Sequence, residues 1–146
     1  MKPWPPQTTC AQLVRPDIAS LLVRGAGPVG LGVVALATLL LGADVPVLVA
    51  NVAPYHLALA EQLGGRPIHL GETDLVTVVR DGGSGVIDVA IDTSGKAVAR
   101  RGALDVIAKR GALVCVGYGE DHTARPHRPR ARGPGRRRLP LQRTGR

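Results

Sequence analysis

The chain has 146 residues, enough for one domain with a core of its own. Apolar residues make up 45 % and aromatics 2 %, with no Phe, so the core must be Val, Leu, Ile and Ala. The formal charge of +8 sits in residues 121–146, with nine Arg and one Asp; residues 1–120 hold ten basic and ten acidic side chains, so the folded part has no net charge to attract nucleic acid.

The start, "MKPWPPQTTC", lacks the basic-then-apolar pattern of a signal peptide. Residues 1–19 are rich in Pro and read as loop or a frayed helix. Cys10 and Cys115 are the only cysteines and form no CxxC and no disulfide framework, which suits reduced thiols in a cytoplasmic protein.

Leu21 to Val23 form a first strand, a short apolar run of the kind covered on both faces. "GAGPVG" is a turn, and Pro28 suits the first turn of a helix, where its missing N–H costs nothing. The helix runs to about Leu41 and stops at Gly42. Its apolar run, Val29 to Ala43, is shorter than the roughly 20 residues of a membrane helix. "VPVLVAN" is a second strand, Pro54 to Leu63 a helix, and "RPIHL" a third strand. "TDLVTVVR" is a short helix capped by Thr73 or Asp74. Gly85 to Asp92 form a fourth strand, and Ala97 to Lys109 a helix closed by Gly111. Ala112 to Gly117 are a fifth strand. Strands alternating with helices predict an α/β domain over residues 20–120, a doubly wound parallel sheet of the Rossmann type. The expected order is 3-2-1-4-5, truncated after the fifth strand.

Gly25, Gly27 and Gly30 make G-x-G-x-x-G between a strand and a helix. The first glycine permits the tight turn, the second lets a pyrophosphate approach the backbone, and the third lets helix and sheet pack closely. The N–H groups and dipole of the helix N-terminus then face the phosphates. The acidic residue that binds the ribose 2′-hydroxyl is expected at the end of the second strand, where Asn51 stands. Asn51 can hydrogen-bond a hydroxyl and brings no charge against a 2′-phosphate. His56 is the nearest candidate cation, but a solvated helix-face His is the favoured reading there. NAD and NADP both stay open.

The run "GAGPVGLGVVALATLLLGA", with Pro after the second Gly, resembles the medium-chain dehydrogenases/reductases, the zinc-type alcohol and polyol dehydrogenases. "PYHLALAEQLGG", "GVIDVAIDTSGKAVA" and "KRGALVCVGYGE" are similar to that family's later helix and strands, in order. Short-chain dehydrogenases fit worse, since no Tyr-x-x-x-Lys is present. The resemblance spans Leu21 to about Glu120. It implies a dinucleotide partner, NAD or NADP, and hydride transfer between an alcohol and a nicotinamide in the full-length family. It implies that Gly25, Gly27, Pro28, Val29 and Gly30 form the pyrophosphate turn, with Asn51 at the ribose. It further implies that Thr93, Ser94 and Gly95 flank the adenosine half and that Val116 and Gly117 lie near the nicotinamide. The family carries zinc on a separate N-terminal domain, for which this sequence shows no counterpart. Cys10, Cys115, His69, His122 and His127 have no zinc-ligand spacing. Cys115 reads as a small apolar thiol inside a strand. No catalytic residue and no metal ligand is assigned. The expectation is a cofactor-binding fragment without its catalytic domain. The alternative is a non-catalytic dinucleotide or polyanion binder. No membrane partner is expected, and the open edge of the fifth strand invites self-association.

Residues 121–146 break the pattern, with no apolar period and dense Arg and Pro, and read as a disordered tail. One reading is a polyanion-binding tail. The other is a shifted reading frame. One codon choice for "RPHRPRARGPGR", moved by a base, translates to Asp-Leu-Ile-Ala-Arg-Glu-Arg-Ala-Val-Leu-Gly. That is similar to what the family places here, a short segment and a sixth strand. The completeness of the break favours the shifted frame.

Overall fold

The computed structural model describes residues 18–82 and 85–119. The expected N-terminal extension, apart from its last two residues, and the arginine-rich tail lie outside them.

Five strands form one sheet: β1 (Leu21–Arg24), β2 (Val47–Asn51), β3 (Arg66–His69), β4 (Ile87–Asp92) and β5 (Ile107–Cys115). Four helices join them: α1 (Pro28–Leu41), α2 (Pro54–Gln62), α3 (Leu75–Asp81) and α4 (Ala97–Leu104). All strand pairs are parallel and the order is β3-β2-β1-β4-β5, as the alternation of elements predicts.

Each face of the sheet buries its own apolar layer. One layer joins Leu21, Val23, Val49, Val89 and Ile91 to Val34 and Ala37 of α1 and to Leu57 and Ala60 of α2. The other joins Leu22, Ala50, Ile68 and Ala90 to Leu75 and Val79 of α3 and to Ala103 of α4. The chain changes faces after β3, so the sheet is doubly wound. Neighbouring residues within one strand feed opposite layers, and so the strands read as continuous apolar runs rather than as alternation. Ile18 already belongs to the first layer. Just after it, the Asp88 carboxylate accepts from the N–H groups of Ala19 (2.8 Å) and Ser20 (3.1 Å), fixing the start of β1 to β4.

Asp74 is the cap of α3, its carboxylate accepting from the Thr77 N–H at 3.0 Å. No helix of the described residues is long and apolar enough to cross a membrane.

The bounds of the last helix and the last strand differ from the sequence reading. The last helix ends at Leu104, not at Lys109, and β5 begins at Ile107. Val106 is buried in the second layer, and Ile107 pairs with Ile87. The β-branched pair favours strand once it meets the sheet. The register then shifts, so that Val89 pairs with Ala112 and residues 108–111 bulge. Gly111 is no helix stop but the residue that lets the bulge close: a Cβ there would lie 2.7 Å from Ile107 Cγ2 and 2.8 Å from the Asp88 carbonyl oxygen. At its other end β5 stops at Cys115, short of Gly117. Among the described residues β5 pairs only with β4 and forms the sheet edge. Cys115 lies in a strand, as expected, but at its end, where it is exposed.

Candidate dinucleotide site

The order of the sheet places a switch point between β1 and β4. The chain leaves β1 toward one face and β4 toward the other, opening a crevice at their C-terminal ends. Every residue named from the sequence as a cofactor contact lies in a loop or element end on this side of the sheet.

The turn after β1 comes first. The Gly25 N–H donates to the Ala50 carbonyl at 3.0 Å, extending the sheet by one bond. Gly25 then takes φ +99°, a conformation that favours glycine. Gly27 is the N-cap of α1, in extended geometry and with no side-chain hydrogen bond, and Pro28 follows at the start of the helix. No cap therefore claims the first-turn N–H groups of α1, and the positive end of a 14-residue helix points into the crevice.

The three glycines of the motif differ in what surrounds them. A Cβ on Gly25 would lie 2.9 Å from Thr93 Oγ1. A Cβ on Gly30 would run into the Gly25 carbonyl oxygen and lie 2.9 Å from Thr93 Oγ1. Both glycines are demanded by the protein's own packing. A Cβ on Gly27 would meet nothing within 4 Å, and its φ of −74° suits any residue.

The loops after β4 and β5 form the other wall. Thr93 Oγ1 lies 3.1 Å from the carbonyl oxygens of both Arg24 and Gly25 and shares its proton between them. The N–H groups of Val116 and Gly117 both donate to the Asp92 carbonyl at 2.8 Å. Gly117 packs against the backbone of Thr93 and Gly95. Thr93, Ser94, Gly95, Val116 and Gly117 are thus brought together, and Thr93 joins them to the turn. Asn51 ends β2 and stands apart from this wall, in register with His69 of β3.

A charged cluster beneath this wall escaped the sequence reading. Arg24 and Asp92 are register partners on β1 and β4, and both are buried. The Asp92 carboxylate accepts from the Ser94 N–H (2.9 Å) and hydroxyl (2.6 Å) and from Arg100 Nε (3.0 Å). Arg100 also donates to the Gly95 carbonyl at 3.0 Å. Nε and Nη1 of Arg24 lie buried without a hydrogen-bond partner among the described residues. Burial holds the Arg24 guanidinium below its ordinary pKa, and the field of Asp92 opposes that shift. The signal available in the sequence was a lone charge ending an apolar strand, just before the turn.

A family model described as zinc-binding dehydrogenase matches residues 28–132, more than half of the chain. The chain belongs to that family. The match runs past Glu120, where the resemblance read from the sequence stops, into the arginine-rich tail. L-threonine 3-dehydrogenase from Chelativorans sp. (strain BNC1) is 36 % identical over 99 residues, covering 66 % of this chain and 28 % of that protein. Among solved structures, alcohol dehydrogenase TADH from Thermus sp. ATN1 is 31 % identical with a TM-score of 0.70, over 77 % of this chain and 32 % of the other. A zinc-binding dehydrogenase from Sinorhizobium meliloti 1021, solved bound to NADP, is 25 % identical with a TM-score of 0.61, over 68 % of this chain and 30 % of the other. The chain spans about 30 % of the length of each of these relatives. Among the described residues no three His, Cys, Asp or Glu side chains gather as a metal site. The zinc of the family name has no fit among these residues.

Proposed function

We propose that the turn from Gly25 to Gly30 holds the pyrophosphate of NAD or NADP, and that this domain is the cofactor-binding part of an alcohol dehydrogenase-like oxidoreductase. The observation that carries the proposal is Gly27. The fold has no use for a missing side chain there, whereas a phosphate resting on the backbone does. The uncapped N-terminus of α1 supplies N–H donors and a positive dipole at the same spot.

The other residues take roles by position. Gly25 turns the chain, Pro28 and Val29 open the helix over the phosphates, and Gly30 seats the helix on the turn. Asn51, at the end of β2, faces the adenosine ribose. Thr93, Ser94 and Gly95 border the crevice on the adenosine side, and Val116 and Gly117 border it toward the nicotinamide. Hydride exchange with an alcohol is the chemistry a bound nicotinamide supplies. The described residues bind the dinucleotide, orient it and shield one side of it from water. The two cysteines, too few for a disulfide framework, support a cytoplasmic setting. The edge strand β5 supports self-association by strand pairing with a second copy.

The test is a fluorescence titration of the full chain with NADH and NADPH. Saturable binding of at least one, displaced by its oxidised form, is the expected result. No saturable signal with either contradicts the proposal.

A further inference from the structure

Asp92 holds two loops at once. Its fully buried carboxylate accepts from the Ser94 N–H at 2.9 Å and the Ser94 hydroxyl at 2.6 Å through Oδ1, and from Arg100 Nε at 3.0 Å through Oδ2. Its carbonyl oxygen accepts from the Val116 and Gly117 N–H groups, each at 2.8 Å. The side chain therefore grips the loop after β4, and the backbone grips the loop after β5. Arg100, in α4, closes the arrangement, because Nη2 of the same guanidinium donates to the Gly95 carbonyl at 3.0 Å. The two loops also interlock. A Cβ on Gly95 would lie 2.7 Å from the Tyr118 carbonyl carbon, and a Cβ on Gly117 would run into the Gly95 nitrogen. A shift of Gly95 must therefore shift the segment from Gly117 to Tyr118.

Arginine suits this place because its donors are fixed in one plane, so that one side chain bridges a carboxylate and a carbonyl together. A lysine ammonium keeps the charge but has no such fork. We propose that Arg100 is a positioning residue for the nicotinamide half of the dinucleotide: by clamping Asp92 to Gly95 it holds Val116 and Gly117 in place at the crevice. The inference rests on the reading that Gly25 to Gly30 hold the pyrophosphate. Arg100 acts through the wall, as both these bonds go to protein atoms behind the crevice. The adenosine half has fastenings of its own. Thr93 is bonded to the carbonyls of Arg24 and Gly25, and Asn51 stands across the sheet on β2, so neither depends on the clamp. A wall set before the ligand arrives loses no affinity to being ordered, and a wall left loose does.

The experiment compares two ligands in three proteins: the parent chain, Arg100→Lys and Arg100→Met. Each is titrated by calorimetry with whichever of NAD and NADP the parent binds more tightly, and with the same molecule lacking its nicotinamide ring, ADP-ribose or its 2′-phosphate. Arg100→Met should lower affinity for the dinucleotide by roughly tenfold or more and leave that for the ring-less ligand within about twofold, with Arg100→Lys between parent and Met. Amide hydrogen exchange is followed in the same proteins. The Ser94, Val116 and Gly117 amides should lose protection in the variants, while those of Leu48 to Ala50 in β2 keep theirs. Where the Met variant does not fold, the Lys variant carries both comparisons. A role in stability alone would weaken both ligands alike and lower protection throughout, and that result overturns the inference. Unchanged affinity for the dinucleotide overturns it too, as does a parent that binds both ligands equally. Failure of the parent to bind either ligand overturns the pyrophosphate reading, and this inference with it.

Discussion

Thr93 fastens the loop after β4 to the first glycine of the turn, its hydroxyl 3.1 Å from the Gly25 carbonyl oxygen and equally far from that of Arg24. The bond spans the switch point and fixes the width of the crevice. Thr93→Val keeps the shape and removes the donor. It should lower stability by about 1–2 kcal/mol, read from urea unfolding, because two part-buried carbonyls lose a partner. An unchanged midpoint would mean that water replaces the hydroxyl and that Thr93 does not hold the wall.

Gly30→Ala places a methyl group against the Gly25 carbonyl oxygen and the Thr93 hydroxyl. Backbone cannot swing aside as a side chain would, so helix and turn must part. The expected loss is about 1–3 kcal/mol, the usual cost of overpacking. Thermal unfolding of the variant checks it; full stability would show that α1 is not seated on the turn.

Arg24 is a charge the fold bears without hydrogen-bond compensation at Nε and Nη1. Its pKa is pushed down, so the folded state penalises the charged form, and that penalty is present at every pH where the ordinary guanidinium is charged. Arg24→Met should therefore stabilise the domain by about 1–3 kcal/mol, to the same extent at pH 6 and pH 8. Asp92 loses the field of Arg24 but keeps its hydrogen bonds from Ser94 and Arg100 and the charge of Arg100. A destabilised Met variant would show that Asp92 draws more from Arg24 than the geometry indicates.

The edge strand should act between copies. Ala112 is exposed on β5, which pairs only with β4 among the described residues. Sedimentation at rising concentration should show association of the parent chain, and Ala112→Lys should reduce it by charging the edge. Association unaffected by the lysine would place the contact elsewhere, on a surface such as the exposed Leu36, Leu39 and Leu40 of α1.

The sheet order and the glycine turn were legible in the sequence because each depends on neighbours in the chain. Apolar runs spaced by helices imply parallel crossovers, and G-x-G-x-x-G has a local meaning. The end of the last helix was not legible. "LDVIAKRGALV" fits a helix or a strand, and pairing of Ile107 with Ile87 decides between them. The Arg24–Asp92 cluster was hidden for a related reason: the two residues meet only through the register of β1 against β4. Asn51 stands at the end of β2, as read from the sequence, but the bond that its amide oxygen accepts from the Val52 N–H depends on the conformation of Val52.

Gly27→Ala tests the central claim most directly, because the fold and the ligand make opposite demands at that position. A methyl group there meets nothing within 4 Å and needs no change of backbone. The variant should therefore unfold at the same denaturant concentration as the parent while its affinity for NADH and NADPH, measured by calorimetry, falls by roughly tenfold or more, as a methyl group displaces a phosphate from the backbone N–H groups. Unchanged stability together with unchanged affinity for both would contradict the claim, since nothing would then rest on Gly27.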